Sequence, residues 1–159
     1  MTAEKINQLM VKTRFSGGEI LFGEWDEEHY GFSADGITCH ILRKDQCYID
    51  TEKLLDGKPV FLWQGFKKPV NTHWLHTTGV SRAVRNREGK PTTIVEFTNA
   101  EENTGDSIWV DERALKQFPR VTRPQGTDDR SPIYIYEQPS HTDDEVLTGF
   151  ALPFRKNKD

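Results

Sequence analysis

The segment 105–154 leaves this chain the fewest folding options. Ser107-Ile108-Trp109-Val110 concentrates β-branched and aromatic residues, which suit a pleated, half-buried surface. Asp111 stands where a helix N-cap belongs, because its carboxylate can accept the unpaired N–H groups of a first turn. Ala114, Leu115 and Phe118 follow at helical spacing, and Pro119 ends the run. A polar loop containing Pro and Gly comes next, and strand character resumes over 131–137 and 145–154. A strand, a short helix and two further strands create an apolar face that the remaining chain must cover.

The part before it has similar element content, although no clear repeat appears. Positions 2–11 read as an amphipathic helix with Ile6, Leu9 and Met10 on one face and Thr2 as a possible cap. Strands are expected over 19–25, 29–33 and 37–43. The Asp26-Glu27-Glu28 turn separates the first two, and Asp35-Gly36 separates the last two, since Gly accepts the positive φ of a tight hairpin. Within 37–43, Ile37, Cys39 and Ile41 alternate with Thr38, His40 and Leu42. A short helix over 50–57, ending at Gly57, closes this unit. The next stretch is aromatic but irregular, with Phe61, Trp63, Phe66 and Trp74 among prolines 59 and 69, and reads as a packed connector. A hairpin over 80–87 and 92–98 turns through Glu88-Gly89-Lys90-Pro91. The expected organisation is one domain over 1–159: helix plus meander 1–57, connector 58–78, and a second β-rich unit 79–159. Its class is α+β, mainly antiparallel sheets with two or three short helices. Its core falls on Ile20, Phe22, Phe32, Ile41, Val95, Phe97, Leu115, Phe118, Ile133, Ile135 and Phe150.

A chain of 159 residues can bury a real core in one domain. Only 35% of residues are hydrophobic and 29% are charged, yet nine Phe, four Trp and four Tyr argue for order over disorder. A net charge of −4 argues against general nucleic-acid binding while leaving room for a local basic patch. Residues 1–14 are polar and helical without the apolar centre of a signal peptide, and no apolar run reaches membrane length, so a cytoplasmic protein with reduced Cys39 and Cys47 is expected.

Two patches resemble parts of bacterial DNA sliding clamps. Ser33-Ala34-Asp35-Gly36 before a strand resembles the clamp sequence of strand, Thr-Asp-Gly, strand. Ser131-Pro132-Ile133-Tyr134-Ile135 with Leu152-Pro153-Phe154-Arg155 resembles the clamp's last two strands, which run to a Met-Pro-Met-Arg end. Trp109-Val110-Asp111 leading into Ala114-Leu115 resembles the clamp's strand-to-helix step. The resemblance touches about a quarter of the chain and implies one clamp-like domain, with two halves whose helices share one side of curved antiparallel sheets. A clamp subunit has three such domains and this chain has room for one, so the likeness bears on fold and not on encircling DNA. The chain is also similar in type to small accessory proteins of phages and other mobile elements.

Little catalytic chemistry is written in the sequence. His73 and His76 with Cys39 and Cys47 offer four zinc-competent side chains, but strong zinc signals place cysteines two to four residues apart. The simpler reading is loop or strand histidines and small core thiols, with no metal and no cofactor. No Gly-x-Ser-x-Gly elbow, phosphate loop or dinucleotide fingerprint occurs. Asp26-Glu27-Glu28, Asp128-Asp129 and Asp143-Asp144-Glu145 all sit at expected turns, where solvated charge is the default. A non-enzyme is therefore expected. The basic features are Lys67-Lys68 and the hairpin residues Arg82, Arg85, Arg87 and Lys90, of which Arg85, Arg87 and Lys90 form a small positive prong. The prong either contacts phosphates or keeps an edge strand from aggregating. The expected function is binding: a mobile-element protein that blocks a host nucleic-acid-processing enzyme, such as a CRISPR nuclease, by stoichiometric association. Trp25, Trp63, Arg85, Arg87 and Lys90 serve as anchors, and Asp26, Glu27, Glu28, Asp143, Asp144 and Glu145 steer it toward a basic partner. The alternative is a clamp-like DNA-binding or replication accessory protein.

Overall fold

A computed structural model describes residues 3–15, 21–33, 35–48, 72–86, 88–99, 107–118, 122–127, 131–137 and 146–154. The expected cap Thr2, the core position Ile20 and the short helix at 50–57 lie outside them.

Helix α1 (Ala3–Phe15) buries Ile6 and Met10, four positions apart, and half-buries Leu9. Asn7, between them, is fully buried. Its Nδ2 donates to the carbonyls of Ala3 and Gln46, both at 2.9 Å, and its Oδ1 accepts from the Tyr48 N–H at 3.3 Å. A buried amide with its partners supplied ties the helix to the chain beyond the first meander.

That meander is β1 (Leu21–Glu24), β2 (His29–Ser33) and β3 (Thr38–Arg43), followed by a 3₁₀ turn at Lys44–Gln46. Strand β4 (His73–Arg85) and β5 (Pro91–Asn99) form a long hairpin, and β6 (Ile108–Asp111) pairs with β5. Helix α2 (Glu112–Leu115) leads to β7 (Thr122–Gly126), β8 (Ile133–Glu137) and β9 (Val146–Ala151). The expected connector thus ends sooner than 78, because the chain is already in strand from His73; its first part, 58–71, is not among the described residues.

The nine described strands join one sheet in the order β1-β2-β3-β9-β8-β7-β4-β5-β6, and every described pairing is antiparallel. The mainly antiparallel α+β expectation holds. The order contains a repeat: α1-β1-β2-β3 and α2-β7-β8-β9 are each a helix followed by a three-stranded meander, and their last strands pair through Cys39↔Phe150 and its neighbours. Side chains at paired positions share a face. Phe22, Phe32 and His40 are successive partners across β1, β2 and β3, and α1 covers the two phenylalanines. Phe118, just past α2, packs on the same His40 ring at 4.9 Å. The two described helices therefore lie on one face.

The core has three parts. Ile6, Met10, Phe22, Phe32 and Leu42 fill the space under α1. Leu75, Phe97, Ile108, Val110, Ala114, Phe118, Ile133, Ile135 and Ala151 fill the space by α2, with Val95 and Leu115 half-buried against them. Trp25, Cys39, Tyr134 and Phe150 cluster on the opposite face, where Ile41 is half-buried. The alternation reading put Ile41 in the core. Strand β3 is instead covered on both faces, and Leu42 is the residue it buries under α1. Gly149 is where the halves meet most closely: a Cβ there would strike the Cys39 carbonyl oxygen and come within 2.8 Å of the Phe118 ring.

Strand β7 was hidden in what reads as a polar loop. Thr122-Arg123-Pro124-Gln125-Gly126 looks like turn chemistry, and Pro cannot donate to a ladder. The strand tolerates Pro124 because β4 pairs only with Gln125 and Gly126, through Trp74 and His73. At Pro124, opposite Ile135 of β8, the other side of β7 has no described strand to serve.

Candidate interaction surface

The acidic turn builds itself. Asp26 Oδ1 accepts from the Glu28 N–H and pairs with His29 Nδ1, both at 2.8 Å. The Trp25 and Asp26 N–H groups donate to the His29 carbonyl at 2.9 and 3.2 Å, and Lys44 Nζ lies 3.5 Å from Glu24. Partial burial pushes the Asp26 carboxyl up, but its bonds to His29 and to the Glu28 N–H outweigh that, and the net shift is downward. Glu27 and Glu28 remain exposed.

Trp25 does not join them on the surface. It is only 7% exposed and its ring lies 5.8 Å from Phe150. The expectation of an exposed aromatic anchor is corrected here: the backbone bonds to His29 turn the indole inward, so Trp25 is a core residue. Trp63, Arg87, Asp143, Asp144 and Glu145 lie outside the described residues.

The β4–β5 hairpin is an arm. Thr77 to Ala83 are all exposed, so neither face of this part of β4 is covered. At Thr78–Val80 the ladder breaks: Thr77 pairs with Phe97 and Ser81 with Val95, leaving extra residues on β4. Thr78 Oγ1 donates to Glu96 at 2.7 Å across this bulge. Further out, the Arg82 guanidinium sits 4.9 Å over the Trp109 ring. At the tip, Asn86 Oδ1 accepts from the Glu88 and Lys90 N–H groups at 3.0 and 2.9 Å. Arg85 donates to the Gly89 carbonyl at 2.8 Å, and Lys90 lies 3.5 Å from Glu88. Arg85 and Lys90 are brought together at the tip, and Arg82 points to the other face, as strand alternation requires. The arm and the acidic turn are not one patch. Five strand spacings separate β2 from β4, roughly 24 Å.

Sequence reasoning missed a second cluster, because it depends on β7. Arg123 pairs in register with Tyr136, its guanidinium lies 4.2 Å over Trp74, and Trp74 meets Tyr136 edge-on at 5.5 Å. Arg123 is exposed, while Trp74 and Tyr136 are half-buried.

The polar groups inside form a hydrogen-bonded chain from His40 through Gln117 to Asp35. His40 is 1% exposed, and its Nε2 donates to Gln117 Oε1 at 2.8 Å. Gln117 Nε2 in turn donates to Asp35 Oδ2 at 3.0 Å, which fixes the amide orientation. Asp35 Oδ1 accepts from the Ile37 and Thr38 N–H groups at 2.8 and 2.7 Å, closing the hairpin turn that Asp35-Gly36 marked. Among the described residues, His40 Nδ1 has no hydrogen-bond partner. Burial lowers the His40 pKa, outweighing the Gln117 bond that raises it, so the ring is a neutral packing element. Cys39 and Cys47 are free thiols in different parts of the core, Cys39 among the aromatics and Cys47 beside the α1 cluster. Burial pushes the Cys39 thiol far up, away from the reactive thiolate. His73 and His76 are exposed on β4, and His76 meets Thr98 across the hairpin at 3.2 Å. Among the described residues no three His, Cys, Asp or Glu side chains are grouped to hold a metal, and no helix is long and apolar enough to cross a membrane.

Scans of the chain against protein-family models, curated proteins and solved structures returned no match.

Proposed function

We propose that this chain is a non-catalytic binding protein that associates stoichiometrically with a nucleic-acid-processing enzyme and blocks it, as an anti-CRISPR protein of a phage blocks its nuclease. The observation that carries the binding reading is the outer part of β4, exposed from Thr77 to Ala83 and leading to a tip with Arg85 and Lys90. Its partner β5 buries Thr92, Ile94 and Phe97, but this stretch of β4 buries nothing itself, so its bare faces and the cationic tip suit contact with another macromolecule. The exposed carboxylates Glu27 and Glu28 sit far from the arm and steer approach to a basic partner surface. Co-purification with a candidate nuclease, followed by an activity titration, tests the proposal. Inhibition should saturate at one chain per enzyme. Inhibition far below that ratio would point to turnover and end the binding model.

A second reading, a clamp-like DNA-binding accessory protein, is favoured by one observation: two helix-plus-meander halves place both helices on one face of a continuous sheet. Retention on DNA at two salt concentrations separates the readings. Tight retention that falls steeply with salt, without any nuclease complex, selects the second.

A further inference from the structure

We propose that the outer edge of β4 between Ser81 and Arg85 docks an extended acidic segment of a partner protein as an added strand, an inference that rests on the binding reading above. Strand β4 pairs with β7 only at His73 and Trp74, whereas it follows β5 as far as Arg85↔Pro91. Past Trp74, no described strand occupies its other side. The ladder phase shows which groups point there. The Asn86 N–H donates to the Lys90 carbonyl at 2.9 Å, so that pair is hydrogen-bonded. Antiparallel pairs alternate, which makes Val84↔Thr92 and Arg82↔Ile94 hydrogen-bonded and leaves Ser81, Ala83 and Arg85 with N–H and C=O directed outward. Pro91, which has no N–H, sits opposite Arg85 at a position where none is needed, in agreement with this phase.

The window is bounded by the Thr78–Val80 bulge, with Gly79 at φ 80°, and by the Asn86 turn. An alternating row of donors and acceptors at strand spacing is matched by another extended polypeptide. Charge selects the kind. Arg82 and Arg85 border the window on opposite faces, while the nearby Glu88 and Glu96 are engaged with Lys90 and Thr78. The added strand therefore carries two carboxylates three residues apart, one toward each arginine. A second copy of this chain fits less well, since pairing β4 with itself about Ala83 would set Arg82 opposite Val84 and Arg85 opposite Ser81, with no carboxylate for either arginine.

The test selects a random linear peptide library on the immobilised full chain. Peptides with Asp or Glu at positions i and i+3 among β-branched residues should be enriched. Ala83→Pro removes one outward N–H and leaves the Arg82 and Val84 bonds to β5, so it should weaken the selected peptide about tenfold at an unchanged melting temperature. Arg85→Glu should weaken it similarly. So should N-methylation of the peptide at alternate residues, which needs no change in the protein. No enrichment, enrichment of basic peptides, or equal affinity for Ala83→Pro and for the N-methylated peptide would overturn the inference. So would a concentration-dependent dimer that Ala83→Pro abolishes, since the occupant would then be a second copy. If an enzyme partner still binds Ala83→Pro, only the edge inference fails. If it does not bind the unaltered chain, the binding reading itself fails.

Discussion

His40 is the residue whose protonation the fold resists most visibly. It lies between Phe32 and Phe118, donates a hydrogen bond from Nε2 to Gln117, and leaves Nδ1 buried with no partner among the described residues, with Asp35 the carboxylate in its network. Its pKa is lowered from 6.5 by burial. Below pH 6.5 the unfolded chain takes up a proton that the folded chain does not, so stability should fall as pH drops, by up to about 1.4 kcal/mol per pH unit. Denaturant titrations from pH 7.5 to 5 should show that slope, and His40→Gln should remove it; an equal slope in both would place the titration elsewhere. Asp111 acts in a lower range. Burial raises its pKa, but bonds from Arg113 and Thr92 outweigh this and leave it below 3.8, so its contribution is lost only as pH falls below 3.8. It caps α2 at Arg113 N, 2.9 Å away, and accepts from Thr92 Oγ1 at 3.1 Å. Asp111→Ala should cost about 1–3 kcal/mol near neutral pH, read as a lower denaturant midpoint, because it removes a cap and strands a buried hydroxyl. The cap was legible in the sequence as an Asp before a helical run. The Thr92 bond was not, because it spans two strands whose register no local pattern specifies.

Elements with a clear period or a turn signal were easy to read from sequence, and those without were not. The period of Ile6 and Met10 gave α1, and the Asp35-Gly36 turn gave the β2–β3 hairpin. Strand β7 stayed hidden because its ladder to β4 is only two residues long and it can carry Pro124. The start of β4 stayed hidden because His73 to His76 mixes polar and aromatic residues without alternation. Of the candidate site, the Arg85–Lys90 prong could be read from a charged hairpin, whereas the Arg123–Trp74–Tyr136 cluster required three strands to be in place. Trp25 misled because an aromatic beside three acidic residues looks exposed, and its orientation is set by backbone bonds across the turn. The β3–β9 junction makes a separate prediction. Gly149→Ala should destabilise by about 1–3 kcal/mol, because the added methyl meets a backbone carbonyl that cannot swing aside. Unchanged thermal stability of this variant would mean that the two halves do not meet as described.

At the scale of the molecule, one antiparallel sheet holds two helix-plus-meander halves and extends past them into the β4–β5 arm. The halves share the core with Leu75, Phe97, Ile108 and Val110 of β4, β5 and β6, and the outer part of β4 leaves an edge open. Residue-resolved amide hydrogen exchange on the isolated chain tests this division most directly. Arg82 and Val84 should be protected by their pairing with Ile94 and Thr92, while Ser81, Ala83 and Arg85 should exchange rapidly. Protection of all five would show that something covers the edge. Rapid exchange of all five would show that the arm does not form.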